Sequence, residues 1–437
     1  MNYELPLRAS YHTLGCKLNF SETSAIGMQL ARRGIIRAQG DEAPDIVVVN
    51  TCSVTEVADK KGRSLIRRLR NRWPDATLVV TGCYAQLKPQ EVACIEGVDI
   101  VLGNDEKLRI SDFLEEWERD RRSRVAVHDY LDIREFRGAC ERGDRTRYWL
   151  KVQDGCDYFC TYCTIPFARG RSRSGNIDEL VAEAEKAAAA GGKEIVLTGV
   201  NVGCFGKDTG EDFLTLLKRL DAVEGIERYR ISSIEPNLLT EDIVRWIAGG
   251  SRAFMPSFHI PLQSGSDEVL RLMNRRYRTD LFSDRITMIL DLMPDAFIGV
   301  DIIAGARGET ESEWEKSFAF AESLPVSRYH VFPYSERPGT KALGIDHQVS
   351  QEEKHRRVAE LTMLSDHKLK EYSRRFFGTE RLVLWEHPDS GEEGFMYGHT
   401  DNYLRVRAKA SDSLYNTISP ALLNGFLDTE TLTAQLP

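Results

Sequence analysis

The sequence has no long apolar run and no dense set of cysteines. Nowhere in its 437 residues does an apolar stretch approach the roughly 20 residues that a membrane span needs. The N-terminus shows no cationic start followed by an apolar core, so a signal peptide is not expected. Nine cysteines are an odd and moderate number, which does not suit a disulfide framework. These absences predict a cytoplasmic protein with reduced thiols and no membrane partner.

An excess of positive charge is also absent. The formal net charge is −9, which argues against affinity for nucleic acid over the whole surface but leaves local basic patches open. A hydrophobic content of 42% and a charged content of 29% describe an ordinary globular protein. The length is sufficient for about three domains.

Three cysteines share one short polar loop. Cys156, Cys160 and Cys163 have the spacing C-x₃-C-x₂-C. Three thiolates so placed can hold three corners of a four-iron cluster and leave the fourth iron open to a small molecule. A zinc loop is an alternative, but structural zinc uses four ligands, and the nearest other cysteine, Cys140, lies upstream without paired spacing. Three buried thiols, the remaining alternative, would not need to share one polar loop.

The spacing of this loop resembles that of the radical S-adenosylmethionine (SAM) enzymes. In that superfamily the open iron binds the amino and carboxylate groups of SAM, and one electron releases a 5′-deoxyadenosyl radical. The resemblance implies that Cys156, Cys160 and Cys163 hold a 4Fe-4S cluster and that SAM is a cofactor.

Three further cysteines follow buried strands of the N-terminal segment. Cys16, Cys52 and Cys83 each come directly after a predicted strand. Because the carboxyl ends of parallel strands meet at one edge of an open sheet, these cysteines are expected to converge and could form a second metal site. Three unrelated core cysteines are the alternative. The predicted elements are strands over 7–14, 45–50 and 76–81 and helices over 21–33, with Ser21 as a candidate cap, and 57–72.

The rest of the chain shows two further sequence patterns. Repeated strand–helix units between 148 and 332 predict an α/β barrel or partial barrel, which a long charged helix over 354–377 closes. From 378 onward, short β-like runs separated by Gly, Asp and Asn predict a small antiparallel barrel of the OB-like kind. The segment over 111–144 reads as a surface helix and a linker. The expected fold class is therefore α/β with a small β-barrel at the C-terminus.

Taken together, these motifs resemble the methylthiotransferases over nearly the whole chain. The resemblance implies an N-terminal methylthiotransferase domain over 1–120, a radical SAM core over 140–372 and a TRAM RNA-binding domain over 375–437. It also implies that Cys16, Cys52 and Cys83 hold an auxiliary 4Fe-4S cluster with one free iron. The N-terminal motifs that carry the resemblance are 14–19 with Glu22, 49–55 and 81–86.

Within that family, the chain is most similar to the branch that acts on threonylcarbamoyladenosine (t6A) in tRNA. The signs are the run over 153–174, the run over 231–236 and the lysine that follows Cys16. This resemblance implies 2-methylthiolation of t6A at position 37, with a second SAM as the methyl donor. The implied partners are tRNA carrying t6A and an electron donor such as flavodoxin or ferredoxin. Since both clusters must act on one base, the N-terminal sheet edge should cover the barrel mouth.

One departure from the family pattern stands in the second half of the chain. Ala306 and Arg307 replace the usual Phe-Pro. We expect this change to reshape a loop near the active site without touching a cluster ligand.

Polar residues at other predicted strand ends are candidates for cofactor and substrate contacts. Gly199 and Asn201 follow one strand, and Gln263 and Ser264 follow another, where they could bind SAM. The alternative is that these are satisfied polar groups of ordinary loops. Glu235 is a candidate for reading the threonylcarbamoyl group.

Arginine clusters are candidates for contact with RNA phosphates. Each cluster could also be a solvated helix face. The arginines are Arg67 and Arg68 on one predicted helix, and Arg275 and Arg276 in a second group.

Other functions remain open on the residues alone. A methylthiotransferase could act on isopentenyladenosine in tRNA or on an aspartate of a ribosomal protein. The N-terminal metal could be only structural in a radical SAM enzyme. An RNA-binding iron–sulfur electron carrier without catalysis belongs to a different class.

Overall fold

The N-terminal part of the molecule is an open sheet with helices on its faces. The computed structural model describes residues 6–142 and 146–437. The elements of this part are β1 Arg8–Thr13, α1 Lys17–Arg32, β2 Ile36–Arg37, β3 Ile46–Thr51, α2 Glu56–Arg72, β4 Thr77–Gly82, α3 Cys83–Leu87, α4 Pro89–Ala93, β5 Ile100–Leu102, α5 Ile110–Asp120 and β6 Arg124–Ala126. The six strands are parallel in the order β2-β1-β3-β4-β5-β6. Every residue of β3 and β4 is buried, as is usual for central strands covered on both faces.

Two details of this sheet differ from the expectation. Helix α1 begins directly after Cys16, which occupies the N-cap position in an extended conformation. Ser21 is therefore inside the helix, and its hydroxyl donates to the carbonyl of Trp149 instead of capping. In addition, β6 pairs with β5, although its sequence lies in the segment expected to be a linker. A strand of three residues is too short to show a period in the sequence.

The middle part of the chain is a partial barrel. Its elements are β7 Cys140–Glu141, β8 Tyr148–Lys151, β9 Gln153–Asp154, α6 Ile165–Arg169, β10 Arg173–Ser174, α7 Ile177–Ala189, β11 Glu194–Thr198, α8 Phe213–Asp221, β12 Arg228–Ile231, α9 Glu241–Gly249, β13 Ser257–Gln263, α10 Asp267–Leu272, α11 Thr279–Leu292, β14 Phe297–Ala304, α12 Glu311–Ser323, β15 Arg328–Pro333 and α13 Gln351–Arg374.

Six of these strands pair in parallel, and their order in space follows their order along the chain. Strands β8, β11 and β12 form one sheet, and β13, β14 and β15 form another. Two parallel bridges, Tyr229 with Phe254 and Ser233 with His259, join β12 to the start of the second sheet. The six strands with their helices confirm the expected partial barrel. A single large apolar cluster, which includes Leu150, fills the space between strands and helices.

The C-terminal part is a closed five-stranded barrel. Its strands are β16 Glu380–Pro388, β17 Phe395–Thr400, β18 Arg405–Lys409, β19 Ile418–Phe426 and β20 Thr431–Gln435. They close in the order β16-β17-β18-β20-β19, an arrangement that suits the expected OB-like barrel and a TRAM module. The barrel is not purely antiparallel, because β18 and β20 run in the same direction. That order places the third strand, β18, beside the fifth, β20. Because strand direction alternates along the chain, these two strands run in the same direction.

The C-terminal barrel is fixed to the partial barrel by buried arginines of β12. The guanidinium of Arg228 donates to the carbonyls of Leu382 and His399. The guanidinium of Arg230 donates to the carbonyls of Thr400 and Asp401. Among the described residues, no helix combines the length and apolar character that crossing a membrane requires.

Candidate active site

A short β-pair encloses the C-x₃-C-x₂-C loop. Strands β9 and β10 are antiparallel, so the chain leaves the barrel, forms the loop and returns beside itself. Gly155 opens the loop with φ +69°, and a Cβ at this position would lie 1.9 Å from the carbonyl oxygen of Arg171. Only glycine fits such a close approach at positive φ. The glycine at position 155 is therefore a geometric requirement of the loop.

Burial dominates the chemistry of the loop thiols. It raises the pKa of Cys156 to about 12, and it raises the pKa of Cys163 further. Backbone N–H groups point at both sulfurs: that of Tyr158 at Cys156 (3.5 Å) and that of Ile165 at Cys163 (3.4 Å). A metal must displace the protons of such thiols on binding, and the N–H groups then donate to thiolate sulfur.

Arg275 lies inside the site rather than on the surface, which corrects its assignment as a phosphate contact. Its side chain is 3% exposed, and its guanidinium donates to Cys160 Sγ at 3.2 Å. The same guanidinium pairs with Glu235. The Glu235 carboxylate is thus held by Arg275. It is therefore not free to recognise a substrate group, which is the role that the sequence predicted for it. Burial raises the pKa of Glu235, and Arg275 opposes that rise.

The four candidate SAM residues separate into two kinds. Asn201 is 3% exposed, and neither atom of its amide has a partner among the described residues. A Cβ on Gly199 would lie 2.9 Å from the backbone and side-chain oxygens of Gln153, so the backbone passes close to the start of the cysteine loop. Gln263 has φ +66°, an uncommon conformation of the kind found at ligand sites. Ser264, by contrast, is fully buried and accepts from the N–H of the residue two positions later.

An unpaired buried amide is a cost unless a ligand satisfies it. The Asn201 amide therefore fits a polar cofactor, whereas the Ser264 hydroxyl is already used within the protein. Sequence reasoning missed Ser232 at the end of β12, whose buried hydroxyl also lacks a partner among the described residues. Its position after a strand was the available signal.

Cys16, Cys52 and Cys83 converge at the carboxyl edge of the N-terminal sheet. Cys16 follows β1, Cys52 follows β3 and Cys83 follows β4. A Cβ on Gly15 would lie 2.9 Å from Cys52 Sγ, which shows how closely the first two loops approach. Burial, with the charges of Cys83 and Cys16, raises the pKa of Cys52 to about 12. Cys16 is exposed and the other two are buried, so the group opens to one side.

Neither group of cysteines has the spacing of a zinc site. Zinc–sulfur bonds of about 2.3 Å place tetrahedral thiolates about 4 Å apart. Among the described residues, the group of three possible ligand atoms that lies within 4.8 Å consists of Asp105, Glu106 and His128. The sulfur atoms of neither cysteine group all lie within 4.8 Å of one another.

A fully buried ionic network joins the sheet to the barrel. Glu22 of α1 lies 3.0 Å from both Lys151 Nζ and Arg169 Nη1 and also pairs with Lys107. Asp154 pairs with Lys151 at 2.7 Å. Burial alone would raise the pKa of Glu22, but Arg169, Lys107 and Lys151 hold it well below its ordinary value. Glu22 and Arg169 lie in runs that carry the family resemblance, whereas Lys107 and Lys151 carry no sequence signal.

The two cysteine groups are brought together by their flanking residues. The hydroxyl of Thr164, next to Cys163, donates to the carbonyl oxygen of Ser53, next to Cys52, at 3.5 Å. Arg337 strengthens this contact, because it donates to Ser53 Oγ at 2.7 Å and to Asp59 at 2.9 Å. The N-terminal sheet edge therefore covers the barrel mouth, as expected.

A cavity of about 350 Å³ is lined mainly by strands of the partial barrel. Residues from β12 to β15 form its wall, Lys17 lies at one end, and Tyr403 of the C-terminal barrel closes another side. His259 and Asp301 are paired across neighbouring strands at 2.7 Å. The wall of the cavity is mostly apolar, this pair is among its few polar groups, and all three parts of the chain contribute to it.

The exposed face of α2 is basic. Lys60, Lys61, Arg67 and Arg68 are exposed and have no ion pair among the described residues. Three other cations of this helix are engaged by acidic groups: Arg63 by Glu91, Arg70 by Asp99 and Arg72 by Asp41. Lys60, Lys61 and Arg68 line a groove of about 470 Å³ that begins at Leu14, two residues from Cys16.

The departure at Ala306 and Arg307 lies in the loop after β14. Ala306 is buried in a small cluster against which Tyr162 of the cysteine loop packs. Arg307 donates to Glu336 at 2.8 Å and to the carbonyl of Ile345 at 3.2 Å. The loop is thus tied to the segment after β15.

Known proteins match both halves of this site. The Radical SAM superfamily model matches residues 150–321, and the model described as uncharacterized protein family UPF0004 matches residues 8–103. The threonylcarbamoyladenosine tRNA methylthiotransferase MtaB of Bacillus subtilis (strain 168) is 38% identical over 94% of this chain and 92% of its own length. The chain belongs to the radical SAM methylthiotransferases. Enzymes of this family use SAM and 4Fe-4S clusters, and this member is such an enzyme.

Other relatives of this methylthiotransferase agree. The MtaB protein of Thermotoga maritima is 38% identical over 86% of this chain and 85% of its own length. The tRNA-2-methylthio-N(6)-dimethylallyladenosine synthase of Clostridium botulinum (strain Langeland) is 31% identical over 89% and 88%. Among solved structures, the radical SAM methyltransferase TsrM of Kitasatospora setae has a TM-score of 0.56 at 13% identity and covers 77% of each chain. That likeness supports the fold alone.

Proposed function

We propose that this methylthiotransferase converts t6A at position 37 of tRNA into its 2-methylthio derivative. The observation that carries the proposal is the contact between Thr164 and Ser53, which brings the two cysteine groups to one place. A single base can reach both centres only if they are adjacent. Two relatives that are 38% identical to this chain are named for this substrate.

We further propose the following assignment of ligands and domains. Cys156, Cys160 and Cys163 hold the cluster that binds SAM, and Cys16, Cys52 and Cys83 hold the auxiliary cluster. The backbone N–H groups directed at Cys156 and Cys163 support the first assignment, and the position of the other three cysteines after β1, β3 and β4 supports the second. The predicted limits 140–372 and 375–437 are kept, and the first domain is extended from 1–120 to residue 126, because β6 pairs with β5.

The reaction replaces a C2–H bond of adenine by a C2–S bond, and the sulfur then takes a methyl group. No side-chain base removes such a proton near neutral pH, which is why cofactors must do this step. When bound, the clusters and SAM supply a carbon radical, a sulfur atom and a methyl group. The protein has to bind these groups, exclude water and hold the base between them.

The chain's own residues fit these tasks. The unpaired amide of Asn201 and the strained Gln263 are proposed to bind SAM, with Gly199 allowing close approach. Arg275 orients Cys160 and neutralises charge beside it. Ser264 supports the β13 turn from within the protein.

Exposed cations provide a surface for the tRNA. Arg67 and Arg68 lie on the basic face of α2, and Arg68 lines the groove that begins at Leu14. Arg276 is exposed beside the other cysteine loop, where its guanidinium lies 4.2 Å from the centre of the Tyr158 ring. The C-terminal barrel adds a fold used for RNA binding. An electron donor such as flavodoxin or ferredoxin and a cytoplasmic location belong to the same proposal.

Anaerobic turnover tests the substrate assignment. The reconstituted holoenzyme is incubated with SAM, reductant and tRNA carrying either t6A37 or isopentenyladenosine at position 37, and the nucleosides are analysed by mass spectrometry. We expect 2-methylthio-t6A and no product on the second tRNA. The Cys83→Ala variant should retain SAM cleavage and lose methylthiolation. Product only on isopentenyladenosine, or only on ribosomal protein, would replace the proposed substrate.

Two remaining alternatives need their own measurements. If the N-terminal metal were only structural, Cys83→Ala would unfold the sheet and leave product formation per folded molecule unchanged. If the protein were a non-catalytic electron carrier, the reduced holoenzyme would release no 5′-deoxyadenosine from SAM. Iron and sulfide counts in a Cys156/Cys160/Cys163 triple alanine variant should show one remaining cluster.

A further inference from the structure

Lys17 stands out among the charged groups around the cavity inside the barrel. It is exposed at the first position of α1, directly after Cys16, and has no ion pair or hydrogen bond among the described residues. It lines the cavity of about 350 Å³ and also a second one of about 180 Å³ beside it. An uncompensated ammonium group at the junction of two cavities is a binding feature rather than a structural one.

The other charged groups of the larger cavity are already compensated. The guanidinium of Arg230 pairs with Glu194 at 3.0 Å and donates to Ser257 and to carbonyls of the C-terminal barrel. Asp301 is paired with His259 at 2.7 Å. Burial, with the charge of His259, lowers the pKa of His330 to about 4, so that this ring is neutral at pH 7. Within residues 6–142 and 146–437, the positive charge of Lys17 has no ion-pair partner.

The smaller cavity is positive as well. Arg147 and Tyr403 line it together with Lys17. Arg147 pairs with Glu386 at 2.6 Å, so its charge is compensated. The pKa of Tyr403 is lowered to about 8. The largest cause is the charge of Lys17; burial acts in the opposite direction, and Arg147 and Arg230 lower the pKa further. The cations around the Tyr403 hydroxyl thus favour a negative charge there. An anion bound by Lys17 would supply that charge.

Resting on the proposed function, we propose that Lys17 binds the carboxylate of the threonylcarbamoyl group on the target adenine. The N6 substituent of t6A carries one carboxylate, whereas an isopentenyl group carries no charge. Lys17 follows Cys16, a proposed ligand of the auxiliary cluster, so a base held through its N6 substituent lies beside that centre. One residue would therefore both select the acidic substituent and position the base.

Binding of small RNA probes tests this role without requiring turnover. The probes are anticodon stem-loops with t6A37, with unmodified A37, and with t6A37 whose carboxyl is converted to the neutral methyl amide. Wild-type protein should bind the t6A loop about tenfold more tightly than the amide loop, the change that about 1.4 kcal/mol produces. Lys17→Met should bind the two loops equally, and Lys17→Arg should restore the preference in part. Lys218→Met, an exposed lysine on α8, is the matched control.

The outcomes separate this inference from the proposed function. If the wild-type holoenzyme forms no 2-methylthio-t6A, the proposed function fails. If it does, and Lys17→Met still prefers the acid over the amide, the inference is overturned. An equal loss of affinity for all three loops would identify a phosphate contact and would also overturn it. Because Lys17 adjoins Cys16, affinities are compared for proteins with and without clusters, and iron content is measured for each.

Discussion

At the scale of single residues, Arg275 shows how the barrel protects its cysteine loop. Its buried guanidinium connects Cys160 Sγ to Glu235, so a cation, a thiol and a carboxylate form one chain. Hydrogen bonds to cluster sulfur are one of the means by which a protein sets a reduction potential. Arg275 therefore acts on the proposed cluster as a positioning residue.

Replacing this guanidinium should change both potential and stability. We expect Arg275→Met to make the reduction potential of the loop cluster more negative, because the sulfur loses a charged donor. The variant should also be less stable by about 3 kcal/mol, since Glu235 is left buried without a partner. Spectroelectrochemistry and urea unfolding measure the two effects. Restoration of stability but not potential is expected in Arg275→Met/Glu235→Gln, and Arg276→Met is the exposed control. An unchanged potential would show that Arg275 serves packing alone.

At the scale of elements, the pair β9–β10 determines the shape of the cysteine loop. The strands are only two residues long, so their pairing depends on the tight turn at Gly155. The chain returns so closely that the space beside Gly155 is filled by the carbonyl of Arg171. A side chain at this position must push the two strands apart.

Gly155→Ala should therefore lose the loop cluster and keep the auxiliary one. The expected result after anaerobic reconstitution is iron for one cluster instead of two, together with loss of SAM cleavage. Iron and sulfide analysis and 5′-deoxyadenosine formation are the measurements. Gly249→Ala is the matched control, because nothing lies within 4 Å of a Cβ there. Full iron content in Gly155→Ala would contradict the assigned role of the turn.

At the scale of the whole molecule, the C-terminal barrel is held to the partial barrel by buried charge. Glu386 pairs with Arg147 at 2.6 Å and with His399 at 2.6 Å. Burial alone would raise the pKa of Glu386, but His399 and Arg147 outweigh it and lower the pKa to about 2. A carboxyl with a depressed pKa stabilises the folded state above its ordinary pKa and loses that contribution as the pH falls.

The stabilising effect of Glu386 should accordingly fade between about pH 4.5 and pH 2. Relative to wild type, Glu386→Gln should be less stable at pH 7 by on the order of 3 kcal/mol, from a shift of about 2.5 pKa units. The difference should shrink towards pH 3. Urea unfolding of both proteins across this range measures it, and Glu380→Gln, an exposed position at the start of β16, is the control. A difference independent of pH would show that the carboxylate charge is irrelevant.

The sequence predicted the fold better than the surroundings of the site. Parallel strands such as β3 and β4 are continuous apolar runs, so their positions and the convergence of Cys52 and Cys83 follow from local patterns. Arg275 was assigned to RNA because a local run of arginines does not show which of them folds inward. Burial is decided by contacts over long sequence separation, here between 275 and both 160 and 235.

The strand order of the C-terminal barrel also could not be predicted from local sequence patterns. The sequence indicates extended segments and turns, but the parallel pairing of β18 with β20 results from closure of the barrel. Strand β19 contains Asn424 and Gly425 at a register shift, which interrupts the alternation that would have revealed it.

The ionic network around Glu22 restricts how this protein can exchange parts with its relatives. Its carboxylate comes from the sheet, and two of its three cations, Lys151 and Arg169, come from the barrel. A chimaera that imports a foreign sheet without an acid at this position would leave those two buried cations with Asp154 as their shared carboxylate. Recombination can therefore succeed only when Glu22 and its barrel partners are exchanged together, so the sheet and the barrel form a single unit of exchange.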